Sequence, residues 1–165
     1  MADRSDVFIA IGWPDKKQAD EVLAVYALDE NVQQHDLLKD WRIYDQFHIS
    51  GIRTCVMTYT GEYVKWYDDF EDVQGLLRME TLANQFYHER GFGFCYRFAQ
   101  LHEAYNDYDD AEGYCQVDNC PEKQKPRVQI LHSAMTEFGN IERYINCLPP
   151  KEVFGEGNNL GGSNA

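Results

Sequence analysis

Segments typical of β-strands alternate with segments of helical periodicity in the first hundred residues of this chain. The apolar run VFIAIG, residues 7–12, is rich in β-forming residues, and Pro14 just after it suits the first turn of a helix. Apolar residues then recur at helical spacing, which predicts a helix over 14–28 and a short further piece through Leu38. The positions that define this spacing are Ala19, Val22, Leu23 and Tyr26.

After these helices the pattern changes to dense runs of Val, Ile, Thr and aromatic residues. The runs 41–50, 52–60 and 62–67 are separated by Gly51 and by Gly61. Alternation of this kind between glycine breaks predicts two or three antiparallel strands.

A second helix and a further strand complete the pattern. The acidic stretch 68–72 suits the unpaired N–H groups at a helix N-terminus, and an apolar stripe continues that helix to about Glu89. Gly91 is expected to end it. The strand RGFGFCYRF, residues 90–98, directs four rings to one side, which indicates a core face because each buried ring stabilises the fold. These rings belong to Phe92, Phe94, Tyr96 and Phe98.

The resulting order, β-α-β-β-α-β, is that of the split βαβ arrangement of ferredoxin-like folds. After a polar stretch over 99–126, apolar residues recur every three or four positions from Val128 to Leu148 and predict an added C-terminal helix. A chain of 165 residues is long enough for one domain with a substantial core. We therefore predict a single α+β domain over 1–153 with an antiparallel sheet, followed by a flexible tail over 154–165.

The net charge of the chain indicates which class of macromolecule it could bind. The chain holds 28 acidic and 15 basic residues, for a formal net charge of −13. Because nucleic-acid binding draws much of its affinity from Lys and Arg on phosphates, this balance argues against direct nucleic-acid binding and suits a partner with a basic surface.

The N-terminal stretch MADRSDVFIAIGW is charged and carries only a short apolar run, so it predicts neither a signal peptide nor a membrane span. The five cysteines are odd in number and scattered, which is typical of reduced thiols. We therefore expect a cytoplasmic protein that does not bind membranes. The sequence does not indicate its oligomeric state.

The strand over 90–98 also resembles a signature strand of the RNA-recognition motif. Residues Arg90–Phe94 match that signature, whereas Cys95 and Arg97 do not. Residues 7–10 resemble the second signature strand, and the resemblance implies bases stacked on both strands. The two strands are far apart in sequence, the later one follows a helix rather than a hairpin, and its surroundings are acidic. RNA binding through Arg90–Phe98 is therefore one alternative.

Motifs for metal or nucleophilic chemistry are incomplete in this sequence. Cys115 and Cys120 have a spacing at the edge of what zinc sites use, but no second close pair supplies further ligands, and zinc binding by them is left open. No G-x-S-x-G, H-E-x-x-H or G-x-x-x-x-G-K-[ST] motif occurs. We predict no catalytic residue, no metal and no cofactor. The alternative is an enzyme or small-ligand binder whose site, in a cleft near the sheet, is assembled only by folding.

Carboxylates without compensating basic residues concentrate after Phe98. No Lys or Arg occurs between Arg97 and Lys123, and tyrosines are interleaved with the acidic residues. Carboxylates on a rigid face can imitate phosphate rows, and tyrosines add contact area at small entropic cost. The predicted partner-binding residues are Glu103, Tyr105, Asp107, Tyr108, Asp109, Asp110, Glu112, Asp68 and Asp69.

These features predict a small, non-enzymatic binding or inhibitory protein whose acidic face engages a basic protein, such as a protein that handles nucleic acid. In size and charge the chain is similar to inhibitors that phages direct against host defence, anti-CRISPR proteins among them. The similarity is one of style and involves no shared motif.

Overall fold

Five strands form one antiparallel sheet in this computed structural model, which describes residues 4–49, 52–102 and 107–137. The strands are β1 (Ser5–Trp13), β2 (Trp41–Ile49), β3 (Ile52–Val64), β4 (Phe94–His102) and β5 (Asp107–Gln116). Their order across the sheet is β2-β3-β1-β4-β5, and every neighbouring pair is antiparallel.

Four helices accompany the sheet within the described ranges. They are α1 (Lys16–Tyr26), α2 (Glu30–Gln34), α3 (Glu71–Arg90) and α4 (Lys125–Glu137). None of the helices in these ranges is long and apolar enough to cross a membrane. The predicted tail over 154–165, and the part of the predicted C-terminal helix beyond residue 137, lie outside the described residues.

The mixed α+β class predicted from the sequence is confirmed. Of the two or three antiparallel strands expected over 41–67 there are two, because β3 continues unbroken to Val64. Part of the predicted polar stretch forms β5, a fifth strand that the predicted order does not contain. Among the described strands it pairs with β4 alone, and in that pairing Cys95 lies opposite Cys115. An edge strand needs one partner, so the aromatic-rich β4 can hold a strand that is itself mostly polar.

The acidic stretch 68–72 meets the start of α3 as predicted, since Asp72 Oδ1 accepts the backbone N–H of Val73 at 2.9 Å, although no acidic residue occupies the N-cap position. The residue that precedes the helix is Phe70, which makes no side-chain capping hydrogen bond. Glu71 and Asp72 fall inside the first turn, where their charges complement the positive end of the helix dipole. The predicted helix end is confirmed: Gly91 adopts a left-handed conformation with φ of 72°, which glycine tolerates at no steric cost.

The central strand β1 is buried on both faces. Alternate residues, among them Ile9 and Trp13, belong to the main core between the sheet and the helices α1 and α3. The intervening residues Phe8 and Ala10 are equally buried on the other face. There α4 packs so closely that a Cβ at Gly12 would lie 3.0 Å from a methyl carbon of Leu131.

The rings of the strand RGFGFCYRF are core residues, as predicted. Phe92, Phe94, Tyr96 and Phe98 are all at most 8% exposed and belong to the main core. Rings buried in this way are not accessible for bases to stack on. The alternative of RNA binding through Arg90–Phe98 therefore has no stacking platform on this strand.

We expect Phe94→Ala to lower the free energy of unfolding by about 3–5 kcal/mol, because it removes a fully buried ring and leaves a cavity. Urea denaturation followed by circular dichroism measures this change. The control is Leu28→Ala, which truncates a side chain that is 73% exposed and should change stability by less than about 0.5 kcal/mol. Similar losses in the two variants would contradict the placement of Phe94 in the core.

Candidate functional site

The acidic residues singled out in the sequence fall mainly on the edge strand β5. Five of the predicted partner-binding residues lie on it: Asp107, Tyr108, Asp109, Asp110 and Glu112. Glu112 lies opposite Phe98 of β4, and its side chain is exposed. Glu103 and Tyr105 lie outside the described residues.

A β-bulge interrupts the pairing of β5 with β4. Gln100 is paired with Asp110 and the next residue, Leu101, with Tyr108, so Asp109 is the extra residue of β5. Bulges and charged residues are common on edge strands because both discourage pairing with the strand of another protein. The acidic edge is therefore poorly suited to non-specific strand addition.

Asp68 and Asp69 lie apart from β5 but at the same end of the sheet. Both are exposed on the turn between β3 and α3. The strand pairing that defines this end joins Val64, Ser5, His102 and Asp107 in one row across β3, β1, β4 and β5. Neighbouring strands lie about 4.8 Å apart, so the end of β3 and the start of β5 are roughly 14 Å apart. The structure thus places two separate acidic groups at one end of the sheet.

A polar cluster joins β5 to α3. The hydroxyl of Tyr114 donates a hydrogen bond to Glu80 Oε2, and Asn84 Nδ2 donates to the Tyr114 hydroxyl oxygen at 3.3 Å. Gln116 Nε2 in turn donates to Asn84 Oδ1 at 2.9 Å. Burial raises the pKa of the Glu80 carboxyl, and the neighbouring charge of Glu112 raises it further, while a hydrogen bond from Asn84 opposes both effects. The cluster therefore couples the charge of Glu112 on β5 to the pKa of a carboxyl on α3.

A cleft of about 450 Å³ opens at the end of the sheet where β3 ends. Its walls include Tyr59 of β3, Trp66 in the following segment and Asp72 of α3, and two basic residues, Arg4 and Lys65, line it as well. The ring of Trp66 is stacked with that of Tyr59, with centroids 6.1 Å apart. This is the cleft near the sheet that a small-ligand site, the alternative drawn from the sequence, would occupy.

Sequence reasoning did not single out the residues of this cleft. They are spread from Arg4 to Leu76 and are brought together by the pairing of β1 with β3 and by the start of α3. The available signal was local: the run EYVKWY, residues 62–67, combines three aromatic residues with Lys65. The composition of this run favoured a strand, and a strand assignment does not predict that the run lines a cleft.

Three cysteines lie near one another where β4 and β5 meet α4. Cys95 and Cys115 are paired across the two strands, and the neighbouring Cys120 adds to the effect of burial in raising the pKa of the Cys115 thiol. Burial raises the pKa of each of these thiols. Within the described residues, no group of three or more His, Cys, Asp or Glu side chains is placed to hold a metal ion. Cys147 lies outside those residues.

We expect Glu80→Gln to become more stable relative to the wild type as the pH rises. A raised pKa means that the folded state binds the proton of Glu80 more tightly than the unfolded state. Its contribution to stability is therefore present at low pH and is lost as the pH rises from the usual value of 4.5 through the raised one. Glutamine keeps an oxygen that can accept from Tyr114. Urea unfolding at about pH 4 and about pH 8 measures the difference, which should stay below about 1 kcal/mol because solvent screens a half-exposed carboxylate.

The control is Glu62→Gln, which neutralises an exposed carboxylate on β3. It should show no comparable dependence on pH. If Glu80→Gln gained stability at low pH instead, the burial of this carboxylate would not be the dominant influence on its proton.

Comparisons with known protein families, with curated protein sequences and with solved structures found no match to this chain. A functional proposal therefore depends on the chemistry of the chain's own surface and cleft.

Proposed function

We propose that this chain is a small acidic binding protein whose edge strand β5 engages a basic surface on a protein that handles nucleic acid. The observation that carries the proposal is the placement of Asp107, Asp109, Asp110 and Glu112 on one edge strand of the sheet, with a β-bulge at Asp109. A loop of the same composition would present its charges in many arrangements, whereas pairing with β4 fixes the backbone of β5 on both sides of the bulge.

The dimensions of a strand support mimicry of a nucleic-acid backbone. An antiparallel strand rises about 3.4 Å per residue, and phosphates along one strand of duplex DNA recur at about 3.4 Å of axial rise. Four carboxylates fall within the six residues from Asp107 to Glu112, which is about one charge per 5 Å of strand when both faces are counted, somewhat below the density of a single phosphate row. A basic groove shaped for such a row would accept this edge.

Further features support a protein partner. The net charge of −13 disfavours nucleic acid itself and favours fast, salt-dependent association with a basic protein. Tyr108 on the same strand and Tyr105, which precedes β5 in the sequence, would add apolar contact area to the charged one. Asp68 and Asp69, at the same end of the sheet, extend the negative surface beyond β5.

The small size and the negative charge of the chain favour a binding protein that acts as a cytoplasmic inhibitor. An inhibitor of the anti-CRISPR type, made by phages against a nucleic-acid-binding defence enzyme, needs no active site of its own. It needs only a rigid acidic surface that competes with the enzyme's substrate.

We also infer that the sheet is a ferredoxin-like core to which β5 and α4 have been added. The order β2-β3-β1-β4, with all neighbours antiparallel, supports this inference. So do the crossings of α1 and α3, which connect β1 to β2 and β3 to β4 as in a split βαβ pair. On this inference the acidic edge strand is an addition to an otherwise complete sheet.

The proposal predicts that neutralising β5 abolishes partner binding. The variant combines Asp107→Asn, Asp109→Asn, Asp110→Asn and Glu112→Gln. In pull-downs from host lysate, the wild type should retain nucleic-acid-binding proteins at low salt, release them at high salt, and be displaced by added duplex DNA. The variant should retain at least tenfold less, because each lost charge weakens attraction to a basic groove.

A second variant serves as the matched control, because it loses the same number of charges from helices and turns. Its substitutions fall at exposed positions: Asp20→Asn, Glu30→Gln, Asp40→Asn and Glu89→Gln. This control should keep most of the binding. If both variants bound equally well, or if added DNA failed to compete, β5 would not be the binding surface.

A further inference from the structure

The cleft at the end of β3 combines flat apolar walls with polar groups in a volume typical of small-molecule sites. Its volume of about 450 Å³ lies within the usual range for such sites. Trp66, half-buried, is stacked on the buried Tyr59, and Tyr63 and Phe70 at the rim are 60% and 38% exposed. Exposed aromatic rings around a cleft provide surfaces on which a planar ligand can stack.

Two cations line the cleft without a carboxylate partner. Arg4 lies over the ring of Tyr63, 5.3 Å from its centroid, and its Nη1 donates to the Tyr63 carbonyl oxygen at 3.5 Å. Within the described part of the chain, neither Arg4 nor Lys65 forms an ion pair, although acidic residues outnumber basic ones. Some of the basic residues elsewhere in that part form ion pairs with carboxylates, namely Lys16, Lys39, Arg78, Arg90 and Lys125. The two cleft cations therefore remain available to an anionic group.

The rim of the cleft is built from an uncommon backbone conformation. Tyr63 has a φ of 55°, in the left-handed region that aromatic residues rarely adopt. It belongs to a β-bulge, since Ser5 pairs with Val64 while Val7 pairs with Gly61. The carboxylate of Asp6 holds the bulge by accepting the Tyr63 N–H at 2.8 Å. Bulges of this kind re-aim a side chain, and strained residues of this kind cluster at ligand sites.

The cleft also offers acceptors and a hydroxyl. Asp72 Oδ1 accepts the backbone N–H of Val73 at 2.9 Å, which leaves Oδ2 for a ligand that carries N–H donors. Burial raises the pKa of Tyr59 to about 12, so its hydroxyl stays protonated at neutral pH. A ligand that satisfies every group in the cleft needs a planar ring, N–H donors on that ring and a separate anionic group.

We propose that this cleft binds a free nucleoside monophosphate, with its base against Tyr63 and Trp66 and its phosphate on Arg4 and Lys65. The carboxylate of Asp72 would accept the N–H groups of the base, which favours guanine because its ring N1–H and its amino group are adjacent donors on one edge. The residues that line the cleft are distinct from those of the acidic strand β5.

Tryptophan fluorescence can report on this cleft selectively. The chain contains three tryptophans, and Trp13 and Trp41 are 0% and 5% exposed, so a ligand in the cleft should quench mainly Trp66. Titration of the full chain with GMP should give saturable quenching with a Kd of roughly 1 mM or tighter. Guanosine and inorganic phosphate should each bind at least about tenfold more weakly, because each supplies only part of the contacts. Failure of GMP to saturate, or equal affinity for guanosine and GMP, would overturn the proposal.

Substitutions of the two cations complete the test. Lys65→Gln and Arg4→Gln should each lower GMP affinity by about tenfold while leaving the weak binding of guanosine unchanged. The matched control is Lys17→Gln, which removes an exposed lysine at the start of α1, beyond the far end of β1 from the cleft. Lys65 is exposed, so its substitution should not alter the thermal midpoint. Loss of GMP binding equally in the Lys17 variant, or no loss in the Lys65 variant, would contradict the assigned phosphate contacts.

Discussion

The double pairing of β1 is the interaction on which the rest of the structure depends. This strand hydrogen-bonds to β3 along one side and to β4 along the other, and both of its faces are buried. Its apolar run has no solvent-facing positions because α1 and α3 cover one face and α4 packs on the other. A strand that is buried on both faces must lie in the centre of the sheet. Its position therefore fixes β3 and β4 as its neighbours and requires helices on both faces.

A central apolar strand also decides where so acidic a chain can hold its charge. Burying an unpaired carboxylate is costly, so carboxylates must stay at edges, turns and helix ends. The edge strand β5 meets this requirement. β4 lies along one of its edges, no other described strand lies along the second edge, and the side chain of Glu112 is exposed. At the contact between β5 and α3, burial and then the charge of Glu112 raise the pKa of the half-buried Glu80 carboxyl. A single strand, β4, thus lies between the acidic edge strand β5 and the central core strand β1.

The pairing of β1 with β3 also creates the cleft. The bulge opposite Asp6 turns Tyr63 out of the regular strand, and the chain then passes through Trp66 to reach α3. The basic residues of the cleft come from the first described residue of the chain and from the end of β3, and strand pairing alone makes them neighbours. The acidic surface and the cleft are therefore consequences of one sheet, although they differ in charge and chemistry.

Local patterns predicted those elements whose stability is mostly local or whose side chains are plainly apolar. The spacing of Val22 and Tyr26 identified α1, and the alternating rings after Gly91 identified a core strand. The patterns failed where a segment takes its secondary structure from pairing with another strand. β5 has the composition of a loop and becomes a strand because β4 offers it hydrogen-bonding partners on both sides of the bulge.

The sequence by itself determined the α+β class, the central core strands and the excess of negative charge, because hydrophobic periodicity and composition are properties of consecutive residues. Only the tertiary structure decided that the acidic segment is an edge strand and that Arg4, Lys65 and Trp66 share a cleft. Both outcomes depend on contacts between residues far apart in the chain. The physical reason is that strand pairing and packing select one arrangement among many that local preferences allow equally.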